Sequence, residues 1–496
     1  MSENAANICF NVPDIILWIA HFVDSSDSST LSVISRTTRC AYVTLVDELS
    51  REISCHIVDV PSLAEFLSER TRRAGKLDCR STEIIGKECF YSDPRELESN
   101  QALAKILRLV SEYQTLQTFY HHAWDETDTF LCLPKEIFHA LGHSSNSITT
   151  MNITAHPCNW DTLFTIEFKV MRKFQLALSP GDTRTECGRT EAGTPIHRSN
   201  VSNFLQNMGQ LTHLVLTISS NLVGDLDITK LRFPNLESFD LSRDFASPGL
   251  YCFVARHMAL QYLHLHFKTG HIPSPFRDYH LPELRALKMN GRNTNTLATF
   301  LGKKDEVATI TCARRPRLEH LRIHDVDRLY YLNVYVLPLA SQLRRLDLHF
   351  FFRSPPFEIE FGSFLASFEV LVELSISFEP RLVVTLVEDP HSQTFSALTL
   401  RTILRYMDNC SSLKALHLCD TETYPLLIED LQNLSPVPKS IEFISWRCYN
   451  EKQVFRVVHD QATMSAHAVP FNLPLNTKEV VHDWRNENTI QTYFSS

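Results

Sequence analysis

Glycine is scarce in this chain, at 13 of 496 residues. Glycine lets a backbone close tightly around phosphate groups, so its scarcity argues against glycine-rich nucleotide loops as an organising feature. No Gly-x-Ser-x-Gly elbow, Walker loop or dinucleotide fingerprint occurs. The 13 cysteines are odd in number, scattered and never spaced Cys-x-x-Cys. That argues against zinc ribbons and a disulfide framework, and fits a reducing compartment. An excess of basic charge is missing too. Lys and Arg total 48 against 57 Asp and Glu, a formal charge of −9, which leaves no footprint for nucleic acid. Long apolar runs are also absent. The longest, Val12 to Val23, is interrupted by Asp14 and His21 and is too short to span a bilayer. Ser2-Glu3-Asn4 offers no basic start for a signal peptide. The expectation is a cytoplasmic or nuclear protein with no membrane partner.

What the chain has is a recurring phrase, apolar-x-x-apolar-x-apolar. It reads Leu211/Leu214/Leu216, Leu236/Phe239/Leu241, Leu260/Leu263/Leu265 and Leu284/Leu287/Met289. It continues as Leu318/Leu321/Ile323, Leu343/Leu346/Leu348, Leu371/Leu374/Ile376 and Leu413/Leu416/Leu418. First positions are 25, 24, 24, 34, 25, 28 and 42 residues apart. Ile441/Ile444/Trp446 is a looser copy, and Ile148/Met151/Ile153 and Leu116/Phe119/His121 are decayed earlier ones. The last two apolar positions alternate with polar ones, as in Leu263-His264-Leu265-His266, which describes a half-buried strand. Helical stripes precede several phrases: Leu103/Ile106/Leu107/Val110, Val201/Phe204/Leu205/Met208, Leu250/Phe253/Val254, Phe361/Phe364/Leu365/Phe368 and Leu400/Ile403/Leu404/Met407. Helix then strand, repeated, is the mark of a leucine-rich-repeat solenoid. The fold expected is α/β and irregular, with parallel strands on the concave side and helices on the convex side. It spans 116–449, with linking helices and first repeats over 55–115. Residues 180–200 are polar and read as a mobile insertion, and 450–496 as a C-terminal cap whose apolar side comes from Val480, Val481 and Trp484.

Side chains between the apolar positions of each phrase face away from the core. Tyr262, His264, Lys288, Asn290, His320, Arg322, Arg345 and Asp347 are therefore the candidate partner-binding residues. Rich in His and Arg, they suit an acidic or phosphorylated segment, with Arg322 and Arg345 gripping the anion. Asp347 is the chain's own candidate for neutralising both arginines. A hydrophilic face with no selected partner is the other reading. His139-Ala140-Leu141-Gly142-His143 has the spacing of a helical metal pair but lacks the acid of a metalloprotease motif. No catalytic, metal or cofactor set is read.

The N-terminal segment, 9–54, differs from the rest. Pro13-Asp14 suits the first turn of a helix, Ile15, Ile16, Ile19, Phe22 and Val23 form its apolar face, and a second short helix carries Leu31, Val33 and Ile34. A third would run from about Arg36 through Leu49. Such a three-helix module is too small to be comfortable alone. Val12-Pro13-Asp14-Ile15-Ile16-Leu17 resembles the Leu-Pro-x-Glu-Ile-Leu opening of the F-box, with Asp14 standing for the glutamate. Val33-Ile34-Ser35-Arg36-Thr37-Thr38-Arg39 is similar to its Leu-Val-Ser-Arg-x-Phe-Arg segment, with Thr38 in place of the aromatic. Leu49-Ser50-Arg51-Glu52-Ile53 resembles the fungal closing sequence, and Pro61 to Leu67 the helix entering the repeats. Resemblance to F-box/leucine-rich-repeat proteins implies a non-catalytic substrate receptor of a cullin-type ubiquitin ligase. It implies that Pro13, Ile16, Leu17, Leu31, Ile34 and Arg36 meet the Skp adaptor, that the cullin scaffold is reached through it, and that the repeats hold a target protein. A leucine-rich interaction scaffold outside the ubiquitin system is the alternative.

Overall fold

The leucine phrases become strands that pair in the order in which they occur. In the computed structural model, the described residues are 52–56, 60–74, 81–85, 94–112, 116–122, 133, 135–155, 159–178, 198–218, 228–245, 249–269, 281, 283–290, 318–326, 332–333, 336–350, 359–378, 400–401, 403–407, 410–420, 426, 431, 434, 437–448, 451–460 and 465–471. The chain divides into two compact units, Met1–Leu236 with Asp240–Asp244, and Glu237–Phe239 with Phe245–Ser496.

In the first unit the order is β1 (Glu52–His56), α1 (Val60–Ala74), β2 (Ser81–Ile85), α2 (Pro94–Glu112), β3 (Thr118–His122) and α3 (Lys135–His143). β4 (Thr150–Ala155), α4 (Trp160–Leu163), β5 (Lys173–Leu178), α5 (Arg198–Gln206) and β6 (His213–Ile218) follow. Each strand from β1 to β6 pairs in parallel with the next. α1 packs on α2 and α2 on α3, so the helices stack as the strands do. The expected stripe on α2 is the buried one: Leu103, Ile106, Leu107 and Val110 are all about as enclosed as side chains can be. Phe119, Met151, Phe174 and Leu214 are register partners in the core row of β3–β6. Phe204 of α5 closes over that row, 5.8 Å from Phe174 and 6.2 Å from Phe168, both edge-on. Edge-to-face contacts add to the area they bury.

The second unit begins around β7 (Ser238–Phe245), whose residues the two units share. It continues through α6 (Leu250–Arg256), β8 (Tyr262–Thr269), β9 (Ala286–Asn290), β10 (His320–Val326), β11 (Arg345–Phe350), α7 (Ile359–Ala366), β12 (Glu373–Phe378), β13 (Ala415–Asp420) and β14 (Phe443–Cys448). Strands β8 to β14 are parallel neighbours. Leu263, Leu287, Leu321, Leu346, Leu374, Leu416 and Ile444 form one register row, each fully buried. β15 (Glu451–Asp460) and β16 (Ser465–Pro470) then run antiparallel, so the parallel series ends in a hairpin.

A backbone contact marks the start of each repeat. The carbonyl one residue past the phrase's first apolar position accepts two N–H groups from the next repeat. Gln117 O accepts from Thr149 and Thr150, and Thr149 O from Arg172 and Lys173. In the second unit Glu319 O accepts from Arg344 and Arg345, and Arg344 O from Val372 and Glu373, at 2.8–3.0 Å. By this mark Met171/Phe174/Leu176 is a repeat phrase that the leucine pattern passes over. All three are buried.

The chain is thus α/β with a mostly parallel open sheet, in keeping with a solenoid of helix–strand units. Of 180–200, residues 198–200 are helical, the start of α5, which trims the expected insertion. The rest of it, the 9–51 stretch and Val480, Val481 and Trp484 lie outside the described residues. Among the described residues no helix is long and apolar enough to cross a membrane.

Candidate interaction surface

Alternation in a strand sends one set of side chains to the leucine core and the other to the opposite face. On that face of the second unit, His264, Lys288, Arg322, Asp347, Ser375, His417 and Ser445 share one register row. Tyr262, Ala286, His320, Arg345, Glu373, Ala415 and Phe443 form the row before it. The candidate partner-binding residues therefore lie on one face of adjacent strands. Asn290 is placed there by its backbone, opposite His324.

The face has two electrostatic zones. The first is centred on acids. Asp347 Oδ2 accepts from His320 Nε2 at 3.0 Å, and its Oδ1 from Arg345 Nε at 3.1 Å. Arg345 Nη1 lies 3.5 Å from Glu373 Oε1, which is 2.8 Å from His417 Nε2. His417 Nδ1 and Ser445 Oγ share a hydrogen bond of 2.6 Å. The chain of contacts crosses β10 to β14. His320, Asp347, Glu373 and Ser445 are all buried. Burial alone would raise the Asp347 carboxyl, but Arg345, His320 and Arg322 hold it well below the usual carboxylate range. Glu373 is likewise resisted by burial and carried down to about 2 by Arg345 and His417. Such a network is held by its full set of partners.

Two expectations change here. His320 and Asp347 are enclosed and paired within the chain, since long side chains on strands about 4.8 Å apart cover one another. Asp347 does not bridge the two arginines. Its contacts go to Arg345 and His320, while Arg322, its register partner, acts on it through charge. Among the described residues no carboxylate lies within salt-bridge distance of Arg322. The sequence places His417 on this face, but Glu373 and Ser445 were absent from the candidates. Their signal was present, because Glu373 occupies the position in its phrase that His320 and Arg345 occupy in theirs.

The second zone is cationic and imidazole-rich. Lys288, Arg322 and His324 come from β9 and β10, with His264 and His266 on β8 and His349 on β11. The His324 and His349 rings are 5.4 Å apart, and those of His264 and His266 6.4 Å apart. His324 Nε2 is shielded from solvent and has no hydrogen-bond partner among the described residues. Burial, then Arg322, Lys288, His349 and His264, push His324 down to about 2.

In the first unit, exposed His139 and His143 border a cleft of about 510 Å³ with Ser145, Asn146, Glu167 and Lys169. Among the described residues no group of three or more His, Cys, Asp or Glu is placed to hold a metal ion. No family model matches the chain, and no curated protein matches its sequence.

Proposed function

We propose that this chain is a non-catalytic receptor that holds a target protein on the polar face of β8–β14. One observation carries the reading: the face divides into an acid-centred zone satisfied within the chain and a cationic zone whose Arg322 has no carboxylate at salt-bridge distance among the described residues. Repeat stacks expose broad surfaces that suit macromolecules better than small ligands. Arg345 and Asp347 hold that surface in shape, and His264 is buried with them, while Lys288 and Arg322, with Tyr262 beside them, meet the target. An acidic or phosphorylated segment fits that charge.

The F-box-like sequence at 9–54 assigns the receptor to a cullin-type ubiquitin ligase in the cytoplasm or nucleus. In this reading Pro13, Ile16, Leu17, Leu31, Ile34 and Arg36, outside the described residues, dock on the Skp adaptor. Catalysis then belongs to partner enzymes, and this chain supplies proximity and orientation. Copurification tests it. The full chain should retain the Skp adaptor, and a variant with Pro13→Asp, Ile16→Asp and Ile34→Asp should lose it while keeping its thermal unfolding profile. A wild-type chain that never retains the adaptor leaves the scaffold reading, in which the same face serves a partner outside the ubiquitin system.

A further inference from the structure

On the helix side of the first unit, α3 buries Ile137, Phe138, Ala140 and Leu141 and turns His139 and His143 outward. The two histidines are four residues apart, so they stand one turn above the other on a single face of the helix. Both border the cleft of about 510 Å³ whose far wall includes Thr165 and Glu167. Gly142 keeps that cleft open, because even a Cβ there would lie 3.8 Å from Ile166 Cγ1 and a longer side chain would project between the walls. Neither imidazole has a hydrogen bond, ion pair or ring contact among the described residues. The histidines of the polar strand face differ in this respect: His320 and His417, for example, are committed to Asp347 and Glu373.

We propose that His139 and His143 chelate one divalent transition-metal ion of the imidazole-preferring kind, such as nickel, copper or zinc, at the mouth of this cleft. Helical histidines at this spacing can bring a nitrogen each to one ion, and imidazole suits these metals. The field agrees with a cation. His143 is the last residue of α3, and the carboxyl end of a helix carries partial negative charge. Glu167 and Lys169 pair at 3.4 Å across the cleft and offset one another, so they add little of either sign. No third His, Cys, Asp or Glu is placed to join the two rings among the described residues. At least two of the four positions of a tetrahedral ion are therefore left to water or to a donor brought by another molecule. The site stands apart from the polar strand face and does not rest on the receptor reading.

Calorimetric titration of the full chain with Ni²⁺, repeated on His139→Gln, His143→Gln and the double variant, tests the pair. The wild-type chain is expected to bind about one equivalent more than the double variant, whose other histidines and cysteines supply the common background. Chelation makes the two rings act together. Each single variant should weaken that equivalent by about tenfold or more, and by nearly as much as the double variant does. Ni²⁺ should also raise the thermal midpoint of the wild-type chain more than that of the double variant, since only folded α3 brings the rings together. Both positions are exposed, so metal-free midpoints should match and show that the variants fold. A double variant that binds as many equivalents as the wild-type chain would overturn the site. Small, additive losses in the single variants would overturn the chelate, leaving two independent surface imidazoles.

Discussion

Arg345 touches two buried carboxylates at once, Asp347 through Nε and Glu373 through Nη1. Removing it strands both acids in a poorly solvated place. Arg345→Ala should therefore destabilise the second unit by about 3–5 kcal/mol, the scale for breaking a buried pair from one side, as read by urea denaturation. His320→Ala should cost about 1–3 kcal/mol, because Asp347 loses one of two donors. Acid has a defined sign at these residues. Glu373, held near 2, contributes stability that is present above the ordinary carboxyl value of 4.5 and is lost as pH falls toward 2. His324 acts earlier on the same side. The unfolded chain accepts a proton near 6.5 that the folded imidazole refuses until about 2, so stability declines below 6.5. His324→Gln should reduce, without abolishing, the loss of thermal midpoint between about pH 7 and 5, because buried His257 is also lowered and adds to the same slope. An unchanged slope would remove His324 from that role. The sequence placed these side chains on the right face, since alternation depends only on period. It was silent on their burial, because which long side chains cover Asp347 depends on register between strands 25 or more residues apart.

At the scale of elements, the leucine phrase was legible wherever its apolar positions were leucine or isoleucine. Leu321, Leu346 and Leu374 fall in one fully buried row, as period and spacing require. Met171/Phe174/Leu176 escaped because Met and Phe replace the leucines and 40 residues separate it from the phrase at Leu211. Its carbonyl contacts identify it: Arg172 O accepts from Thr212 and His213 as its counterparts do in other repeats. Phe174→Ala should cost about 3–5 kcal/mol, the usual penalty for a buried aromatic, since Phe174 packs edge-on against Phe204 of α5. Gln175→Ala, one residue away and half-buried on the polar face, should stay within about 0.5 kcal/mol. Equal losses at both would mean that β5 is turned over. Gly362 of α7 is a second feature that periodicity does not reveal. A Cβ there would lie 3.2 Å from the Tyr406 ring, so the glycine permits close approach of α7 to the residues around Tyr406.

For the whole molecule, a formal charge of −9 coexists with a zone on β8–β11 where Lys288 and Arg322 concentrate local positive charge. Net charge is a sum over the chain and conceals such a patch, which only strand register assembles. Target capture through it should be weakened by salt, by about tenfold or more between roughly 0.05 and 0.5 M, as exposed charge pairs are screened. Adaptor retention through the apolar Pro13, Ile16 and Ile34 should change little, and pull-downs in parallel at both salts compare the two. Capture indifferent to salt would discard the acidic-target reading. Finally, β15 and β16 have a consequence for how this array can lengthen. Every parallel strand offers its successor the same bonding edge, so duplication of an internal helix–strand unit would splice in without reversing any neighbour. A copy added after Cys448 would meet a strand running the opposite way. New length, and with it new recognition surface, is therefore gained from within the series and not at its carboxyl end.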